Sequence, residues 1–242
     1  RVMTRALRAG DKGYVMANLE SLKVERFKSL ESVEVPLGHV NVFIGANGSG
    51  KSNLLEALGV IGAAAAGRVD DQALLRRGVR PGVPRIYKSA FPSRKKDPSI
   101  RITVSAGASA YFIGIQNQGA TPQPFWRFQH EKLTEAGVSI ASRGPARGSA
   151  SIHGEPIHDE RSASLAVQAR ASLKTSEETR GLLALLDEYA IFSPVTPVLR
   201  GIAPDTASRA PVGLFGGGLP DAVDSLPADS KKHLKQLAID LF

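Results

Sequence analysis

One run of residues limits this chain more than any other: Gly45-Ala46-Asn47-Gly48-Ser49-Gly50-Lys51-Ser52 fits G-x-x-x-x-G-K-[ST] at every fixed position. Each residue type there has a physical task. Glycines let the backbone curl so that successive N–H groups turn inward around an anion. A helix starting at the end of the loop adds the positive end of its dipole. Lys51 then reaches β- and γ-phosphates as a point charge, and the Ser52 hydroxyl is a magnesium ligand. Such a P-loop calls for a strand leading in and an amphipathic helix leading out. Val40 to Ile44, apolar except for Asn41, reads as the buried strand. Leu54, Leu55, Leu58 and Ile61 share one face of a helix expected from about Lys51 to Ala66.

Before the loop, Leu19 to Phe27 and Ser32 to Pro36 alternate apolar with polar residues and read as half-buried strands. Arg1 to Ala17 reads as a preamble, with Met16 as a candidate start. After the helix, Gln72 to Arg77 is a short helical pattern and Arg94-Lys95-Lys96 a loop tip. Five strand-like stretches follow: Ile100 to Ser105, Tyr111 to Gln116, Phe125 to His130, Val138 to Ser142 and Ala150 to His153. Gly or Pro separates most of them, which predicts an antiparallel meander. Thr175 to Ala190 reads as a helix with Thr175 or Ser176 as N-cap and Glu177-Glu178 in the first turn. Pro194, Pro197, Pro204 and Pro211 mark an irregular region. Short helices are then expected over Pro220 to Ser225 and Ser230 to Phe242.

Composition excludes several classes. At 242 residues and 42% apolar, the chain is long and hydrophobic enough to bury a core. It has no cysteine, so disulfides and cysteine-ligated zinc are excluded, and a cytoplasmic location is suited. No apolar run spans a bilayer, and the basic N-terminus lacks the apolar stretch of a signal peptide. The net charge of +8 permits contacts to nucleic-acid phosphates without demanding them. Arg76, Arg77, Arg80 and Arg85 form a basic cluster past the P-loop helix, for which solvent is the commonest partner. His153, His158 and Asp159 include metal-ligating types, yet Gly154 and Pro156 between them read as a polar loop.

Leu22-Lys23-Val24-Glu25-Arg26-Phe27-Lys28-Ser29-Leu30, then Val40 to Ile44, then the P-loop with Asn53-Leu54-Leu55-Glu56-Ala57-Leu58, together resemble the opening of RecF/SMC-like, ABC-type ATPases, including the OLD-type and antiphage AAA family branch. The resemblance is tight over about Met16 to Gly62. It implies an α/β fold, a P-loop NTPase ABC-type core with an antiparallel β flank, with residues 1–15 as leader or tag and 16–242 as the N-terminal, Walker A part of the ATPase domain. It implies MgATP, held by Asn47, Gly48, Ser49, Gly50, Lys51, Ser52 and Asn53. Phe27-Lys28-Ser29 matches a flap element beside the nucleotide, where Lys28 offsets phosphate charge and Ser29 donates a hydrogen bond. A Q-loop glutamine touching magnesium and the attacking water is also implied, with Gln129 the best placed and Gln116 and Gln118 competing. In relatives two such domains sandwich ATP head to tail as a homodimer, linked to DNA repair, nucleic-acid processing or antiphage defence with an effector or nuclease partner.

That family also needs a Walker B strand, four apolar residues and then Asp-Glu, preceded by a signature motif. Leu183-Ala184-Leu185-Leu186-Asp187-Glu188 matches the string, but a leucine- and alanine-rich run after a capped start favours a helix. No signature motif lies upstream. The expected reading is therefore an ATP-binding lobe that switches in a dimer. A non-hydrolysing nucleotide-binding scaffold completed by a partner chain is the alternative, and a P-loop kinase is disfavoured by the flap strands.

Overall fold

The computed structural model describes residues 18–80, 82–89, 99–118, 120–146, 148–207, 209–210 and 212–241. The leader, Met16, the Arg94-Lys95-Lys96 tip and Pro211 lie outside the described residues. The chain divides into two units, Arg1–Tyr189 and Ala190–Phe242.

The first unit is built on an antiparallel sheet of eight strands in the order β2-β1-β3-β4-β5-β6-β7-β8. These are β1 (Ser21–Phe27), β2 (Leu30–Pro36), β3 (Ile100–Ala106), β4 (Ser109–Gln116), β5 (Arg127–Glu135), β6 (Val138–Arg143), β7 (Ser151–Ile152) and β8 (Glu155–Pro156). The alternation in the sequence becomes one buried face. Leu22 stands opposite Val104, Val104 opposite Tyr111, and Tyr111 opposite Leu133, all fully buried. Lys23, Thr103, Phe112 and Lys132 form the matching row on the other face and are exposed or half-buried.

Helices cover the apolar face. α1 (Lys51–Ala65) lies against β1 and β3, α5 (Glu177–Glu188) against β4, and α4 (Ala166–Ala171) against β6. Between α1 and β3 come the short helices α2 (Asp71–Leu75), capped by the Asp70 carboxylate on the Ala73 N–H, and α3 (Pro84–Tyr87). Leu54, Leu58 and Ile61 of α1 are buried as their spacing predicts, and Leu55 is half-buried. The α1–α5 contact is close because Gly62 faces it, where a Cβ would lie 2.5 Å from the Leu186 carbonyl oxygen. Gly59 makes room instead for the chain after α2, since a Cβ there would lie 2.4 Å from Val79.

One expected element is absent. Val40 to Ile44 pairs with no strand among the described residues, and Val40, Val42 and Ile44 are 83%, 77% and 90% exposed. β1 lies between β2 and β3, and β2 ends the sheet; the segment after β2 does not join that open edge.

In the second unit, α6 (Thr196–Leu199), α7 (Leu219–Asp224) and α8 (Ala228–Leu241) flank a loop organised by Asp205, whose carboxylate accepts the N–H groups of Ala207, Phe215 and Gly217. Gly217 is required there, since its Cβ would meet Asp205 at 2.5 Å. No helix among the described residues is long and apolar enough to cross a membrane.

Candidate functional site

The P-loop forms the turn into α1. Gly48 and Gly50 have φ of 82° and 94°, the left-handed region in which glycine carries no Cβ penalty. Gly50 is excluded from substitution twice over, because a Cβ there would lie 3.0 Å from both Ser29 Oγ and Leu30 Cδ2. It occupies the N-cap position of α1, yet no side chain caps that end and no acid lies in the first turn. The opening N–H groups of the helix are thus left for an anion from outside the chain. The Lys51 ammonium folds back onto the loop and donates to the Gly45 and Ala46 carbonyl oxygens at 2.7 and 2.8 Å. Asn47, Ser49 and Ser52 are exposed along the same loop.

Two further elements meet this loop. The β1–β2 hairpin closes with Phe27 opposite Leu30, so Lys28 and Ser29 form its turn. Asn53 Nδ2 donates to Ser29 Oγ at 2.8 Å, which ties the turn to the first turn of α1. The Lys28 ammonium does not point over the loop. It is bound to the carboxylate of Glu56, and it lies 4.8 Å from the centre of the Tyr87 ring and 5.5 Å from that of Phe27. The other Glu56 oxygen accepts Arg80 Nε and, at 3.3 Å, the Arg80 backbone N–H. Arg80 in turn donates to Asn53 Oδ1 at 3.0 Å. Glu56 is buried, with 3% of its side chain exposed. Burial works against its charge, but hydrogen bonds from Arg80 and Lys28 outweigh that and hold the carboxyl below its usual range.

Gln129 is brought to the same end of the sheet but not to the loop. Phe128 stands opposite Ile115, and Ile115 opposite Ile100, one residue beyond the Arg101–Glu25 pair of β1. Three strand spacings separate β5 from β1, about 14 Å. The Gln129 side chain is half-buried, and its carbonyl accepts Arg161 at 3.4 Å.

A family described as "AAA domain, putative AbiEii toxin, Type IV TA system" matches residues 40–168, which include the P-loop and most of the sheet. The chain belongs to this AAA family. It is also 42% identical over 69 residues to the DNA replication and repair protein RecF of Renibacterium salmoninarum, a match covering 28% of this chain and 17% of RecF. This chain thus matches less than a fifth of that relative's length. A solved structure concerning ATP-driven dimerization and DNA-stimulated activation of SMC ATPases aligns over 90% of this chain and 98% of its own at 15% identity, with a TM-score of 0.27, too loose to bear on the fold. The AAA family match and the local likeness to RecF agree with what the residues around the P-loop imply.

Beyond the matched residues, the Asp187-Glu188 pair ends α5 and is not on a strand. Ser176 caps that helix through the Thr179 N–H at 3.1 Å, with Glu177 and Glu178 in the first turn, as the sequence predicts. The Asp187 carboxylate is bound by Arg77 at 3.0 Å and Arg170 at 3.1 Å. Asp159 is likewise taken, by Arg143 and Arg161, and His153 Nε2 faces Thr175 Oγ1 at 3.2 Å. No group of His, Asp and Glu among the described residues is placed to hold a metal ion. The basic cluster is also partly engaged, because Arg77 is on Asp187 and Arg80 on Glu56.

The sequence reading gave Glu56 no role of its own and left Arg80 in a cluster for which solvent is the commonest partner, whereas the structure pairs the two. The signal was present: Glu56 is the sole charged residue from Leu54 to Gly67 in an otherwise apolar helix. It also missed Glu131, which accepts Tyr111 Oη at 2.9 Å, Ser164 Oγ at 2.6 Å and the Leu165 N–H at 2.9 Å, just before α4. Burial pushes that carboxyl above its usual range, although these donors and Arg143 oppose the shift.

Proposed function

We propose that this chain is the MgATP-binding lobe of a RecF/SMC-like ATPase, in which nucleotide closes two copies head to tail. The single observation that carries the nucleotide reading is the free N-terminus of α1 behind two left-handed glycines, with Lys51 as a local cation. In this reading the N–H groups from Asn47 to Ser52 cradle the phosphates, and Lys51 exchanges two neutral carbonyl partners for phosphate oxygens. Magnesium would be held by the exposed Ser52 hydroxyl near the start of α1, where it would offset phosphate charge. Gln129 completes the ion's shell only if β5 and the loop approach. Ser29 and Asn53 contact the nucleotide beside Gly50, whereas Lys28 reaches it only by leaving Glu56. The name of the RecF relative supports a role in DNA replication or repair, and the family description supports a role in a toxin-type system.

A titration with a fluorescent ATP analogue and magnesium tests the reading. Saturable binding that Lys51→Ala abolishes is expected, and equal affinity in wild type and variant would sink it. Sedimentation with and without nucleotide tests the homodimer, which is expected only with nucleotide.

A second reading has an observation of its own. Asp187 is bound by two arginines at the end of a helix, so the described residues offer no Asp-Glu strand to activate water. On that reading the chain is a nucleotide-holding scaffold completed by a partner. Steady ATP turnover by the isolated chain would reject it.

A further inference from the structure

The flap turn is held in an unfavourable conformation, and a buried carboxylate is among the groups that hold it. Arg26 and Lys28 have φ of 62° and 49°, a region that non-glycine residues rarely adopt without compensation. Three contacts hold Lys28 there: its N–H donates to the Tyr87 carbonyl at 2.9 Å, its ammonium binds Glu56, and its charge lies over two aromatic rings. Glu56 does not touch the P-loop. Its reach to the loop runs through Arg80 to Asn53, and from Asn53 to Ser29, whose hydroxyl lies against Gly50. Arg80 is otherwise open to solvent, with 64% of its side chain exposed. Among the described residues, Glu56 and Asn53 hold its guanidinium in place.

We propose that Glu56 is a positioning residue for the nucleotide site: it fixes the flap turn through Lys28 and orients the Asn53–Ser29 pair through Arg80. The inference rests on the nucleotide-binding reading and adds to it a bracket that decides how well the P-loop is flanked. An arginine suits this place for a stated reason. Its planar fork serves a carboxylate with one N–H and an amide oxygen with another, which a lysine ammonium at the same position cannot do at both distances.

The test uses the chain as it stands, with a fluorescent ATP analogue plus magnesium as probe and melting curves recorded without nucleotide. The variants are Glu56→Gln, Arg80→Met, Arg80→Lys, Asn53→Ala and the doubles with Asn53→Ala. Because Arg80 is exposed, its variants report even if Glu56→Gln folds poorly. Arg80→Met is expected to weaken nucleotide binding about tenfold and to add little to Asn53→Ala. Arg80→Lys is expected to keep the melting temperature but not the affinity, a separation that a merely structural role would not give. In melts without nucleotide, Arg80→Met and Asn53→Ala are expected to be non-additive. Wild-type affinity in Arg80→Met, or additive melts, overturns the proposal. If the wild type binds no nucleotide, the reading under it falls, and the melts still decide whether the bracket exists.

Discussion

Lys51 keeps its ammonium on two loop carbonyls, so its charge is engaged but not neutralised. Lys51→Ala is therefore expected to leave the fold alone and remove nucleotide binding, lowering affinity by a hundredfold or more, about 2.7 kcal/mol or above. Glu56 behaves differently, because its partners are charges. Its folded carboxyl titrates below the unfolded value near 4.5, so the stability it contributes is full above that value and is lost as pH falls through the lower folded one. The acid limb of the unfolding curve, followed by circular dichroism from pH 5 to pH 2, is expected to be steeper in wild type than in Glu56→Gln. At this scale the turn of the P-loop into α1 was legible in the sequence, since the motif is local and its glycines act through their own backbone. Lys28 was legible as a flap cation but not as a partner of Glu56, because that pair joins residues 28 positions apart and depends on a ring stack no periodicity reveals.

The elements followed their patterns wherever a face had a single neighbour. β3, β4, β6, α1 and α5 fall within a few residues of their expected bounds, because alternation and capping are read against one layer. Ser176 is one such signal, and Ser176→Ala is expected to cost about 1 kcal/mol, read as a lower melting temperature. Gly62 gives the opposite lesson. On propensity alone, alanine in the interior of α1 is an improvement of roughly 1 kcal/mol. The added Cβ would meet the Leu186 carbonyl at 2.5 Å, and backbone on both sides leaves little room to adjust. Gly62→Ala is thus expected to destabilise by about 1–3 kcal/mol, measured by urea unfolding. α4 and β8 escaped sequence reading because they are short, and because Glu131, a distant strand residue, supplies the donor-satisfying group at the start of α4.

Taken whole, the first unit is a sheet with one apolar face under helices and one polar face, an arrangement the alternating strands announced. What composition and pattern could not show is which strands find partners. Val40 to Ile44 has the residues of an interior strand, but strand formation is a property of pairs, and the segment joins neither β1, which is taken on both sides, nor the open edge of β2.

That segment has a practical consequence for handling the protein. Three exposed apolar side chains, on backbone that pairs with no strand among the described residues, offer a template for intermolecular β-pairing. Concentrated solutions should scatter light before any loss of helix signal. A gatekeeper charge at Val42, as Val42→Lys, should delay the onset of scattering while nucleotide affinity stays intact.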